Sequence, residues 1–125
     1  MSEEFKKADE GKLDWSLFPF DGAEGIVRIL MFGANKYGRN NWRGGAHDEE
    51  AKRRLFAGIL RHLTAMQRGQ IYDPESGQAH VYHAACGCLF LASFEAMSRT
   101  SQTSGSSTVH SAPPPGSQSA GWDAS

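Results

Sequence analysis

Asp73, Glu75, His80 and His83 gather at the start of the stretch "DPESGQAHVYHAACGCLFLASF", residues 73 to 94, which then runs into almost unbroken apolar sequence. The two histidines are three residues apart, so on a helix their rings share one face. Asp21 and Glu24 in "DGAEG" repeat that spacing. Two such pairs on two packed helices are how helical proteins commonly build a metal site in their interior. Each pair also has a purely structural reading. The acids fit a solvated first turn, and the histidines fit core residues with hydrogen-bond partners. Spacing alone leaves both readings open.

A third cluster is cationic and aromatic. "NKYGRNNWRGG" brings Lys36, Arg39 and Arg43 together with Tyr37, Asn41 and Trp42, "RHL" adds Arg61 and His62, and "GKLDWSLFPF" contributes Lys12 and Trp15. Cations for phosphates, an aromatic plane for a base and an amide for its edge are the parts of a nucleotide pocket. The other reading is a solvated loop in which Trp42 covers the helix ends.

These residues need elements to position them, and the chain supplies three amphipathic or apolar segments. The first helix is expected from about Asp21 to Tyr37, with Ile26, Ile29, Leu30 and Gly33 on one face, Pro19 before it and Gly38 after it. The second is expected from about Asp48 to Arg68, with Asp48, Glu49 and Glu50 at its N-terminus and a stripe of Leu55, Ile59, Leu63 and Met66. The third is expected from about Gln78 to Met97 and is apolar on all sides. Two short partners can hardly cover such a helix. The expected fold is therefore an all-α bundle of about three helices, its core completed by a second copy in a homo-oligomer. Residues 1–98 form the expected domain, and residues 99–125, rich in Ser, Gly and Pro with few aliphatic side chains, the expected disordered tail.

Composition narrows the function class. Lys+Arg number 13 against Asp+Glu 14, which argues against stable nucleic-acid binding. No run approaches the roughly 18 apolar residues of a membrane span. "MSEEFKKADEGK" lacks the apolar stretch of a secretory signal. Cys86 and Cys88, two apart on a helix, cannot readily bridge, so they read as small hydrophobes in a reducing cytoplasm.

The runs "GKLDWSLFPFDGAEGIVRILMFGANKYGRNNWR" and "RHLTAMQRGQIYDPESGQAHVYHAACGCLFL" resemble the phage dATP/dGTP diphosphohydrolase family, close to the all-α MazG-like nucleotide pyrophosphohydrolases. "KYG", "NW", "RHL", "DPESG" and "HxxHA" follow in order between Gly11 and Phe94. The resemblance implies an oligomeric enzyme, in the host cytoplasm if phage-encoded. It would cleave a deoxynucleoside triphosphate between the α and β phosphates with a divalent metal, Mg²⁺ or Mn²⁺. MazG-like enzymes carry acidic E-E-x-x-E and E-x-x-D motifs. Asp21 and Glu24 match the first only partly, His80 and His83 occupy the expected place of the second, and Gln70 stands where a glutamate often follows. Histidine in place of carboxylate favours Mn²⁺, Zn²⁺ or Co²⁺ over Mg²⁺.

The roles that follow place metal binding on Glu24, His80 and His83, with Asp21 as a further ligand. Asp73 or Glu75 completes the shell or acts as general base. Lys36, Arg39, Arg61 and Lys12 hold the phosphates, with His62 beside them. Trp15 or Trp42 stacks on the base, with Tyr37 and Asn41 alongside. Two other readings stand beside this one. His47-Asp48 is an adjacent pair of the kind found in His-Asp phosphohydrolases, although Asp48 is better explained as a helix cap. A non-catalytic phage-type nucleotide-binding or interaction protein would also fit the missing acids.

Overall fold

Proline at position 19 fixes the chain for a helix start, and in the computed structural model, which describes residues 4–105, α1 begins directly after it (Phe20–Tyr37). Before it, Asp14 caps a short 3-10 turn at Trp15–Leu17. Gly38 ends α1 with φ 100°, a value that glycine adopts without strain, and its N–H donates to the Ala34 carbonyl at 2.9 Å. A second 3-10 turn (Asn41–Gly45) leads to α2 (Glu49–Gln67). Asp48 is its cap: Oδ1 accepts from the Glu50 and Ala51 amides at 3.0 and 3.1 Å.

The end of α2 is a Schellman motif. Gly69, at φ 94°, donates to Met66 at 2.9 Å, and Gln70 donates to Ala65 at 3.0 Å. The chain then makes a narrow hairpin, bridged at Tyr72 and Ala79, and enters α3 (His80–Gly105). Apart from that isolated bridge, every regular element among the described residues is helical, so the all-α expectation holds. α3 starts two residues later than expected and runs seven residues into the segment read as a disordered tail. Local interactions extend it: Arg99 pairs with Glu95 at 2.8 Å, and the Thr100 hydroxyl donates to the Ala96 carbonyl at 3.0 Å. The composition rule concerns burial, and a helix end needs little of it. The remainder of the expected tail lies outside the described residues.

α3 packs against both α1 and α2. Glycine permits the close approach at two points. Gly25 of α1 faces the Tyr82 ring so closely that a Cβ there would overlap it, and Gly87 of α3 faces Ile59 of α2. Trp42 closes the end of the bundle, stacked on Phe90 at 4.5 Å and tilted against Phe94 at 5.8 Å. A Cβ at Gly87 would fall 2.6 Å from Ile59 Cγ1. Overpacking costs about 1–3 kcal/mol, against roughly 1 kcal/mol gained in helix propensity over glycine. Gly87→Ala should therefore lower the urea midpoint. Gly33→Ala, where no atom lies within 4 Å of the added Cβ, should raise it by the propensity gain alone. Equal midpoints for the two variants would refute this account of the α2–α3 contact.

The buried hydrophobic set is small: Ile29, Ala46, Ile59, Ala84, Cys86 and Phe94. Val27 and Met31 on α1, Leu60 and Leu63 on α2, and Val81 and Leu89 on α3 are 43–63% exposed within the single chain. No helix among the described residues is long and apolar enough to cross a membrane.

Candidate functional site

His62 falls on the apolar stripe of α2, at helical spacing from Leu55, Ile59 and Met66, so its ring is driven toward α3. A polar ring there requires a partner. It finds one in His80: the two Nδ1 atoms are 2.8 Å apart. His80, at the first position of α3, is only 5% exposed. Its other nitrogen, Nε2, lies 3.1 Å from Gln70 Oε1. The Schellman turn at Gly69 aims Gln70 at this point, and an acceptor there fixes the His80 proton on Nε2. His80 Nδ1 is then the bare nitrogen, and His62 Nδ1 donates to it.

His83 lies one turn along α3 and serves different partners. Its Nε2 is 2.6 Å from Ser76 Oγ and 3.4 Å from Asp73 Oδ2. The ring stacks on His62, with centroids 4.4 Å apart and planes 8° from parallel, and meets Phe32 of α1 edge-on. Asp73 is held by the hairpin. Its N–H donates to Gln78 at 2.8 Å, its carbonyl accepts from Gly77 at 2.7 Å, and Oδ1 accepts from the Glu75 amide at 2.8 Å. Oδ2 is left to face the histidines, in a side chain 14% exposed. Ser76 Oγ accepts from the Gln78 amide at 3.1 Å, a turn contact two residues ahead of α3.

Among the described residues, His62, Asp73 and His80 form a group able to hold a metal ion, each offering one ligand atom with all three atoms within 4.8 Å of one another. Burial lowers the His62 pKa, helped by the neighbouring His83, and burial lowers that of His83 against the raising effect of Asp73. Both rings are thereby biased to the neutral form, which carries a lone pair for a metal. The donor set of imidazole and carboxylate fits a divalent ion of the Mn²⁺, Co²⁺ or Zn²⁺ kind.

In front of this group lies an open groove of about 1030 Å³ between the three helices. His62, His83, Asp73 and Glu75 line it, as do five cations, Lys36, Arg39, Arg43, Arg54 and Arg61. Five cations against two carboxylates make the groove basic in a chain whose formal net charge is −1. Lys36 forms an ion pair with Glu75 across its mouth, and that bond, followed by Tyr37, raises the Lys36 pKa. Tyr37 and Asn41 also line the groove, and Tyr37 is 62% exposed.

The structure separates the remaining expected residues from this site. Glu24 and Asp21 are exposed and lie outside the metal-capable group. Glu24 pairs with Arg28 one turn on at 3.4 Å, and Asp21 accepts from the Gly22 amide. Lys12 and Trp15 are exposed and do not line the groove. Trp42 lines it but is committed to packing, stacked on Phe90 with the Arg43 guanidinium 4.5 Å from the same ring centroid. Cys86 is buried, and burial raises its thiol to about 11, in keeping with an inert packing residue. Sequence reasoning placed His62 with the phosphates and noted Gln70 only as a missing acid. The available signal was a histidine at a core-facing position of α2.

The family described as dATP/dGTP diphosphohydrolase, N-terminal, matches residues 2–104. A Salmonella phage PMBT28 protein named dATP/dGTP diphosphohydrolase is 35% identical over 85 residues, which cover 68% of this chain and 28% of that protein. The chain thus spans little more than a quarter of its relative's length. No solved structure matches it. With the match extending from before α1 almost to the end of α3, over the groove and over His62, His80 and His83, the chain belongs to the dATP/dGTP diphosphohydrolase N-terminal family.

Proposed function

We propose that this chain hydrolyses a purine deoxynucleoside triphosphate to the monophosphate and pyrophosphate, with a divalent metal. The observation that carries the reading is the basic groove opening onto the histidine–aspartate group in a member of this family. Purine preference rests on the name of the phage relative. Arg61, Arg39 and Lys36 balance the triphosphate charge along the groove, where fixed cations cost no reorganisation as charge moves to the leaving group. Tyr37 offers an exposed ring to the base and Asn41 an amide to its edge. Water adds to the α-phosphorus, the bond to the bridging oxygen breaks, and pyrophosphate leaves with that electron pair. Glu75, at the groove mouth, accepts the proton of the water. The histidines and Asp73 would hold the metal, which when bound supplies Lewis acidity toward phosphate oxygens and water.

Incubation with each deoxynucleoside triphosphate and Mg²⁺ or Mn²⁺ should release pyrophosphate in equimolar amount with the monophosphate, fastest for dATP or dGTP. Orthophosphate as the only inorganic product, or none with either metal, overturns the reading. A second reading, nucleotide binding without turnover, is favoured by the short span of the relative that the chain covers. In that case the groove binds the triphosphate and no product forms.

The same proposal takes the exposed apolar side chains of the three helices as the contact with a second copy. Light scattering at micromolar concentration should give at least a dimer. A monomer would remove this part of the proposal.

A further inference from the structure

We propose that His62, Asp73 and His80 form a resident transition-metal site that fills without nucleotide, with Gln70 orienting His80 from behind. This deepens the hydrolase reading by naming the ligands of its ion, and it is tested with the metal alone, so either can fail without the other.

The ligand atoms come from three separate elements: mid-α2, the hairpin and the first residue of α3. Asp73 and His80 are held by contacts that do not use the ligand atom. Asp73 spends Oδ1 and its backbone groups on the hairpin and keeps Oδ2 facing inward. His80 is fixed through Nε2 by Gln70, an outer partner of the kind that sets the tautomer and ring orientation of a metal-ligating histidine. That leaves His80 Nδ1 as a lone pair directed at His62 Nδ1. Two imidazoles can share one proton here, and an ion can take that proton's place. Tetrahedral ligands at about 2.0–2.1 Å from Zn²⁺ lie roughly 3.3 Å apart, so the 2.8 Å pair need open by only about half an ångström. His62, less buried than His80 and at the groove wall, is the ring free to make that adjustment. His83, stacked on His62 and bonded to Ser76, guards the open side and approaches the same Asp73 oxygen. The set is poor in carboxylate, and it therefore selects an imidazole-accepting ion over Mg²⁺.

The test is titration of chelator-stripped full-length protein with Co²⁺, without nucleotide. The expected result is one equivalent per chain, with the visible absorption of low-coordinate Co²⁺, displaced by Zn²⁺ and unaffected by millimolar Mg²⁺. His62→Gln should weaken binding at least ~10²-fold, and Gln70→Ala by about 10–100-fold, the range for outer partners. Glu24→Gln should bind one Co²⁺ with an unchanged spectrum. Far-UV circular dichroism of the metal-free variants controls for folding, and His62→Gln, at a half-buried position, preserves the fold where replacing His80 is riskier. Absence of a Co²⁺ band, a band that survives His62→Gln, or a band lost in Glu24→Gln each overturns the assignment.

Discussion

His80→Leu and His83→Leu should each lose at least ~10²-fold in kcat while remaining folded. His80→Leu, which removes a ligand, should also lose the rise in Tm that Mn²⁺ or Co²⁺ gives the unsubstituted protein, while His83→Leu keeps it. Their metal-free stabilities should differ. Removing the His80 ring leaves the half-buried His62 Nδ1 without its partner, at about 1–3 kcal/mol where water cannot reach it, whereas the exposed Gln70 can turn to solvent. His83 is gentler to remove, because Ser76 retains the Gln78 amide and Asp73 retains the Glu75 amide. Leucine also packs against Phe32 about as well as imidazole does. The paired measurement is a rate assay and a melt, each with and without metal. Full activity in either variant would make that histidine structural, and equal metal-induced stabilisation in both would remove the metal from this end of α3.

The helices were legible because their signals are local. Pro19, Gly38, Asp48 and the stripe of Leu55 and Ile59 act within a turn or two, and α1 and α2 begin and end within a residue of where those signals place them. The end of α3 was not legible, since the Glu95–Arg99 pair extends a helix through residues whose composition reads as tail. Two of the four residues around the metal-capable group, His80 and His83, stood out by their spacing, but spacing implied one shared task. The structure gives His80 to His62 and Gln70, and His83 to Ser76 and Asp73. That division depends on the Schellman turn and the hairpin, which bring residues 18 apart in sequence into contact. Glu24 shows the converse failure. Its spacing to Asp21 was suggestive, yet an arginine one turn on gives it a solvent-exposed partner.

Asp73 separates turn from charge, and two substitutions should tell them apart. Asp73→Asn keeps an oxygen to accept the Glu75 amide, and the backbone bonds to Gln78 and Gly77 do not depend on the side chain. Its stability should stay within about 0.5 kcal/mol of the unsubstituted protein, the usual range for a change that breaks no packed or buried feature. Its kcat should nevertheless fall by at least ~10²-fold, because the negative oxygen facing His62, His80 and His83 is lost to any ion there. Asp73→Ala should show the same loss of rate and, in addition, a destabilisation of about 0.5–1.5 kcal/mol from the missing turn hydrogen bond. If asparagine keeps the rate and alanine loses it, Asp73 matters only as the knot of the hairpin. If asparagine loses the rate at unchanged stability, the charge is what the site requires, and it must come from Asp73, because in this fold Glu24 is turned toward Arg28 and solvent.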